Sequence, residues 1–294
     1  MLAVRPSLLY GSLVEPKIYV IVGPTASGKS AYAVDLARRV GGEVISADSR
    51  QVYKGLNIGT GKITKKEMKG VPHHLLDVTS PKKVFTAHDF VQKAKPLMEK
   101  ILKAGKSVVI CGGTGFYIDA LLGRITLPNV PPNRELRGKL TGKSAPQLFA
   151  MLKKLDARRA REIDRQNPVR LVRAIEIATT LGKVPKPKKQ KSPLPDYEEI
   201  WIGMKTAEIP LREKIHTRLL SRMTGMVREA KKLHAGGLSY KRMENLGLEY
   251  RYLALLLQKE ITKEEMLTQL ENRIWDYSRR QLRYWKRNTE IKWR

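Results

Sequence analysis

The chain has 294 residues, enough for one large domain or two unequal ones, and 41% of them are hydrophobic, enough for a real core. No apolar run is long enough to span a bilayer, and the single cysteine, Cys111, excludes an internal disulfide and agrees with a reducing compartment. A formal net charge of +29 points to a polyanionic partner, usually nucleic acid, although composition alone does not separate RNA from DNA or an anionic membrane.

Residues 1–17 hold Arg5, two prolines and a glutamate, with no apolar stretch of signal-peptide length, and read as a short extension of a cytoplasmic protein. The apolar strand Ile18–Val22 then runs into Gly23, Pro24, Thr25, Ala26, Ser27, Gly28, Lys29 and Ser30, and a helix leaves through Ala33, Leu36, Ala37 and Val40. This fits G-x-x-x-x-G-K-[ST] in its strand–loop–helix context, which turns backbone N–H groups and a helix N-terminus toward phosphate oxygens. Lys29 supplies a positive charge and Ser30 the hydroxyl that usually ligates Mg2+. A second strand, near 43–47, ends at Asp48. His73 and His74 are adjacent with no zinc spacing and read as turn and packing. A helix opens at Phe85–Phe90 and stops near Gly105, and a third strand follows at 107–111, where Cys111 is expected to be buried rather than nucleophilic. Strands alternating with helices predict an α/β fold, a P-loop NTPase-like parallel sheet flanked by helices.

The character changes near residue 124. Leu127–Pro132 is a proline-rich exit. Helices are predicted at 134–140, 144–155 and 157–180, the last broken near Pro168, and 183–195 is a basic proline-rich loop, either mobile or a phosphate-contacting strap. The expected organisation is a small helical domain, 124–195, inserted into a catalytic core of 1–123 with 196–294. Strand Ile200–Met204 returns the chain to the sheet. Leu211, Ile215, Leu219, Met223, Met226, Ala230 and Leu233 then mark one long amphipathic helix, with Arg212, Arg218, Arg222 and Arg228 on its other side. A final helix, about 263–287, sets Trp275, Leu282 and Trp285 on a core face and Arg273, Arg280 and Arg287 on a phosphate-facing one. The charge follows this division: residues 1–122 carry 18 Lys+Arg against 9 Asp+Glu, so most of the excess lies beyond them.

A P-loop ATPase or GTPase normally ends a second sheet strand in an Asp that organises Mg2+. Here the strand at 107–111 ends in Gly112-Gly-Thr-Gly115, which has no carboxylate. The acid is Asp48, placed where it can take a proton from a nucleophile arriving at a bound phosphate chain. Taken alone, Asp48 reads equally as a turn residue. Competing functions are a P-loop kinase, a prenyltransferase acting on a free adenine nucleotide, and an RNA-binding protein without activity.

Gly23-Pro-Thr-Ala-Ser-Gly-Lys-Ser30, Asp48-Ser-Arg-Gln-Val-Tyr-Lys-Gly55, Ile58-Gly-Thr60, Pro72-His-His74, Gly112-Gly-Thr-Gly-Phe-Tyr117 and Arg170-Leu-Val-Arg-Ala-Ile-Glu176 occur in order. Together they resemble the tRNA dimethylallyltransferase (tRNA isopentenyltransferase) family, over about 18–287. The resemblance implies transfer of a dimethylallyl group from dimethylallyl diphosphate to N6 of the adenosine 3′-adjacent to the anticodon, with Mg2+ as cofactor; the chain is expected to be cytoplasmic, and nothing in it argues for more than a monomer. It implies Asp48 as general base, with Lys29, Thr114 and Arg222 in the catalytic set. The loop 23–30 would hold the diphosphate, with Thr25 as a further contact and Ser30 at the metal. Contacts to the tRNA anticodon stem-loop would come from Asp48, Ser49, Arg50, Gln51, Thr114, Arg137, Val169, Arg170, Leu171, Val172, Arg173 and Arg280. Two departures stand out. The family often has Ile-Gly-Tyr-Lys-Glu where this chain has Leu246-Gly-Leu248-Glu249-Tyr250, so a basic residue near the RNA becomes Glu249, and Arg283 replaces a common threonine. Both bear on local tRNA contacts.

Overall fold

The computed structural model describes residues 15–186, 194 and 196–294; the N-terminal extension before residue 15 and most of the basic loop 183–195 lie outside them. The strands are β1 (Ile18–Val22), β2 (Glu43–Ser46), β3 (His73–His74), β4 (Val108–Cys111), β5 (Glu199–Gly203) and β6 (Lys292–Trp293). The helices are α1 (Lys29–Arg39), α2 (Lys65–Met68), α3 (Ala87–Lys103), α4 (Gly115–Leu121), α5 (Arg134–Leu140), α6 (Ala145–Leu155), α7 (Ala157–Glu162), α8 (Pro168–Leu181), α9 (Glu208–Ala235), α10 (Tyr240–Leu246), α11 (Leu248–Leu257) and α12 (Lys263–Trp285).

The chain divides into two compact units. One comprises the described residues up to Leu122 and those from Leu194 onward; the other comprises Gly123 to Lys186. In the first, the six strands form one parallel sheet in the order β3-β2-β4-β1-β5-β6. Both faces are covered, so each central strand is apolar on both sides. Ile18, Val20 and Val22 pack with Ile45, Ile110, α3, α4 and Trp285 on one face. Tyr19 and Ile21 pack with Val44, Val109, Cys111 and α1 on the other, which is the two-residue alternation of a strand. A third cluster joins α9, α10, α11 and α12 through Leu219, Met223, Met243, Leu253, Met266 and Leu270.

The second unit has its own core, with Leu148, Leu152, Leu171, Ile175 and Ala178 all at most 2% exposed. The helix expected over 157–180 is two helices. Asn167 caps α8 with its side chain on the Arg170 amide, and Pro168 takes the first helical position. There its missing N–H costs nothing and its ring meets no preceding turn, so the break falls before Pro168. Two strands escaped the sequence, β3 and β6; two-residue edge strands carry too little alternation to be seen. His73 and His74 are therefore an edge strand rather than a turn.

Candidate active site

The P-loop follows β1, beside the point where strand order reverses between β1 and β4, the usual ligand crevice of an open parallel sheet. Ala26 and Gly28 take left-handed φ angles of 61° and 83°, turning the loop back on itself before α1 begins. Lys29 opens α1, and its Nζ donates to the Pro24 carbonyl at 2.9 Å. Burial holds the Lys29 ammonium below the ordinary lysine value; Asp48 opposes this and Arg218 adds to it.

Asp48 lies just after β2, where the Ala47 amide donates to the Cys111 carbonyl at 2.9 Å. One carboxylate oxygen, Oδ1, accepts from the Arg50 amide at 2.8 Å and the Gln51 amide at 3.2 Å. Among the described residues nothing bonds Oδ2. Asp48 is thus a turn residue and a pocket residue at once, and the two readings do not compete. The turn after β4 packs against it. A Cβ on Gly112 would fall 2.1 Å from the Ala47 carbonyl oxygen, so no side chain is tolerated there. The Thr114 amide donates to the Ala47 carbonyl at 3.2 Å, and Thr114 Oγ1 accepts from the Ser49 amide at 3.0 Å.

Thr25, Lys29, Ser30, Asp48 and Gln51 line one pocket with Thr60, Gly61, His73, Cys111 and Arg218. Cys111 is buried as expected, and desolvation pushes its thiol up to about 11. Arg50 is half-buried and turns Nη1 to the Ser49 carbonyl at 3.4 Å.

The far wall comes from α9. Arg218 donates to the Gly61 carbonyl at 3.3 Å, and Arg222 to the Ile58 carbonyl at 2.9 Å. Glu229 holds the same loop from its other side, accepting from the amides of Asn57, Ile58 and Gly59 at 2.9, 2.8 and 3.0 Å. Tyr250 on α11 completes the clamp, its hydroxyl donating to Glu229 at 2.7 Å. Burial, then the neighbouring Arg218, push Arg222 down to about 10. Arg218 lines the pocket and Arg222 stands behind it on the residue 58–59 carbonyls; cations crowded in this way are relieved when an anion enters, which suits a diphosphate. Glu249 is half-buried on α11, and burial raises its pKa, with Arg222 and Arg218 working against the shift.

The metal question turns on the donor set. Among the described residues no three His, Cys, Asp or Glu side chains group to cage a metal ion. Ser30 in this pocket fits Mg2+, which is commonly held by one or two protein oxygens plus substrate phosphates and waters.

The residues expected to meet tRNA separate into several groups. The Ser49 amide is bonded to Thr114, and Asp48 beside it holds the Arg50 and Gln51 amides. Arg280 is exposed on α12, its guanidinium 5.9 Å from the Tyr277 ring centre. In the second unit, Val169 and Arg170 are exposed at the start of α8, whereas Leu171 is fully buried and Val172 half-buried against the core. Leu171 is therefore corrected from a contact residue to a core residue, because helical periodicity turns it away from the face of Arg170. Arg137 grips the buried Glu176 by two bonds, Nε at 2.6 Å and Nη2 at 2.8 Å. Arg173 donates to Glu176 at 3.2 Å and to the Val130 carbonyl at 2.8 Å. Both arginines have a structural task whatever else they meet.

The sequence did not single out Arg218, His73, Thr60 or Gly61 as site residues. Arg218 left a signal in its four-residue spacing from Arg222 on one helix face, and Thr60 and His73 in the motifs that carry the resemblance. Trp285 is in the core, as expected. Trp275 is half-buried, with Arg212 lying 5.9 Å over its ring. Among the described residues no helix is long and apolar enough to cross a membrane.

This architecture recurs in known proteins. A family profile described as IPP transferase matches residues 51–288. The tRNA dimethylallyltransferase 2 of Treponema denticola is 41% identical over 271 residues, 91% of each chain. The tRNA dimethylallyltransferase 1 of Geotalea uraniireducens is 38% identical over 281 residues, 94% of this chain and 91% of that one. The crystal structure of the tRNA isopentenylpyrophosphate transferase of Bacillus halodurans superimposes with a TM-score of 0.70 at 33% identity, covering 95% of this chain and 90% of that one. A eukaryotic dimethylallyltransferase captured acting on tRNA shares the fold, with a TM-score of 0.77 at 23% identity, covering 92% of this chain and 70% of that one. On matches that run over almost its whole length, the chain belongs to the tRNA dimethylallyltransferase family.

Proposed function

We propose that this protein transfers a dimethylallyl group from dimethylallyl diphosphate to N6 of the adenosine 3′-adjacent to the anticodon of tRNA. The observation that carries the reading is the free Asp48 oxygen in the same pocket as Lys29, Ser30 and Arg218, beside a strand end that has no hydrolytic acid. The allylic C–O bond breaks with its electron pair leaving on pyrophosphate, and the N6 lone pair forms the new C–N bond. Asp48 takes the N6 proton. Lys29, Arg218, Arg222 and the loop amides stabilise the charge growing on the leaving group. When bound at Ser30, Mg2+ supplies further charge neutralisation on the phosphate oxygens. The target base must leave the anticodon-loop stack to reach the pocket, since its exocyclic amine is otherwise shielded. The basic face of Arg170 and Val169 and the exposed Arg280 are the proposed RNA contacts.

The test is incubation with dimethylallyl diphosphate, Mg2+ and unmodified tRNA, followed by nucleoside analysis. N6-dimethylallyladenosine is expected. ATP-dependent phosphorylation of a free nucleotide, with no prenylated adenosine, would identify a kinase instead.

A further inference from the structure

Gln281 lies on α12, remote in sequence from the pocket, and is 5% exposed. Its side-chain oxygen accepts from the Thr25 amide at 2.8 Å, and its nitrogen donates to the Gly113 carbonyl at 2.9 Å. Among the described residues no other side chain bonds either group. The P-loop is thereby tied to the turn after β4. From Gly113 the linkage continues through Thr114, whose hydroxyl receives the Ser49 amide and whose amide meets the Ala47 carbonyl. Asp48 stands between those two residues. The contact is close: a Cβ on Gly113 would fall 2.1 Å from the Gln281 side-chain nitrogen.

We propose that Gln281 is a positioning residue that sets the spacing between the phosphate loop and Asp48. This rests on the reading of the loop as a diphosphate cradle and of Asp48 as the base. Group transfer needs the allylic carbon and the amine aligned at roughly 3–3.5 Å, and a misplacement of about 1 Å can cost about 100-fold in rate. Two rigid halves of a site, each held well internally, still need a strut between them. A buried amide satisfied at both ends serves that purpose, because either bond lost leaves a buried polar group unpaired. The Gln281 oxygen and nitrogen are both engaged within the protein, so its action runs through Thr25 and Gly113.

The experiment compares the wild type with Gln281→Met, which keeps the length and loses both bonds, and with Gln281→Glu, which keeps the acceptor and loses the donor. Lys29→Ala is the control for the cradle. Turnover at saturating substrate, affinity for tRNA, affinity for inorganic pyrophosphate with Mg2+, melting temperature and amide exchange at Thr25 are measured for each. For Gln281→Met, kcat is expected to fall about 10- to 100-fold, with tRNA affinity within about twofold and Thr25 exchange at least about tenfold faster. Gln281→Glu is expected to lose turnover while keeping Thr25 protected. A Gln281→Met protein with wild-type kcat and KM overturns the positioning role, and so does a loss that only tracks a lowered melting temperature. Lys29→Ala binding pyrophosphate as tightly as wild type would instead overturn the cradle reading itself, which separates the two failures.

Discussion

At Asp48 one carboxylate oxygen is taken up by two backbone amides and the other is left to the pocket, so two substitutions separate its two tasks. Asparagine keeps an acceptor for the Arg50 and Gln51 amides but removes the base. Alanine removes both. Asp48→Asn is therefore expected to fold and to bind tRNA within about twofold of wild type while kcat falls by about 100-fold or more, the range for losing a general base. Asp48→Ala should lose as much turnover and, in addition, melt at a lower temperature, because two amides lose their acceptor. Single-turnover kinetics and thermal melts on both variants check this. An Asp48→Asn enzyme with wild-type turnover would remove the base from the mechanism. Glu249 shows the opposite case at the same scale. It stands where the family pattern has a cation, and burial raises its pKa against the opposing pull of Arg222 and Arg218.

Among elements, the P-loop, β2 with Asp48 and the turn after β4 were legible because each is a short motif whose chemistry depends on contiguous residues. The clamp on residues 57–61 was not. It joins Glu229 to amides 170 to 172 positions away and depends on Tyr250 from another helix, and no periodicity encodes such a pairing. Arg218 was seen as one of four arginines on a helix face, but which of the four turns inward is decided by the loop it packs on. In the inserted unit the same limit applied to Arg137 and Arg173, whose shared partner, the buried Glu176, no sequence spacing revealed. That carboxylate is 0% exposed and meets two guanidiniums that are 47% and 35% exposed. Burial works against its ionised form, but Arg137, the Asn133 amide and Arg173 outweigh it and hold its pKa below the ordinary carboxylate value. A depressed folded value stabilises the unit above the unfolded pKa of about 4.3, and the benefit disappears as pH falls through the folded value. Glu176→Gln is accordingly expected to cost about 2 kcal/mol at pH 7, less than a fully buried pair because the arginines remain hydrated. The gap to wild type should close below about pH 4. Amide exchange of α8 peptides in the full chain, at pH 7 and under acid conditions, reads this directly; equal protection in both proteins at pH 7 would mean that Glu176 holds nothing.

For the whole molecule the charge of +29 becomes specific once it is distributed over the two units. Residues 123–191 carry 18 Lys+Arg against 5 Asp+Glu, a denser excess than in the remainder of the chain. A cationic surface of this kind binds a nucleic acid largely by releasing condensed counterions, so affinity falls steeply with salt, and each phosphate contact contributes about 0.7–0.9 to the slope of log K against log salt. Not every arginine in the unit is free to contribute. Arg170 is exposed, with its backbone amide held by the Asn167 cap and, among the described residues, no partner for its guanidinium, whereas the Arg173 guanidinium is shared between Glu176 and the Val130 carbonyl. The two neutral variants should then diverge. Arg170→Gln is expected to weaken tRNA binding, to flatten the salt slope by about 0.7–0.9 and to leave the melting temperature unchanged. Arg173→Gln is expected to lower the protection of α8 and to change the salt slope by less. Binding isotherms on unmodified tRNA from about 50 to 200 mM salt, run beside thermal melts, distinguish the two. If Arg170→Gln kept the wild-type slope while Arg173→Gln flattened it, the RNA-facing side of α8 would be the one carrying Arg173, and its bonds to Glu176 and Val130 would have to open for RNA to bind.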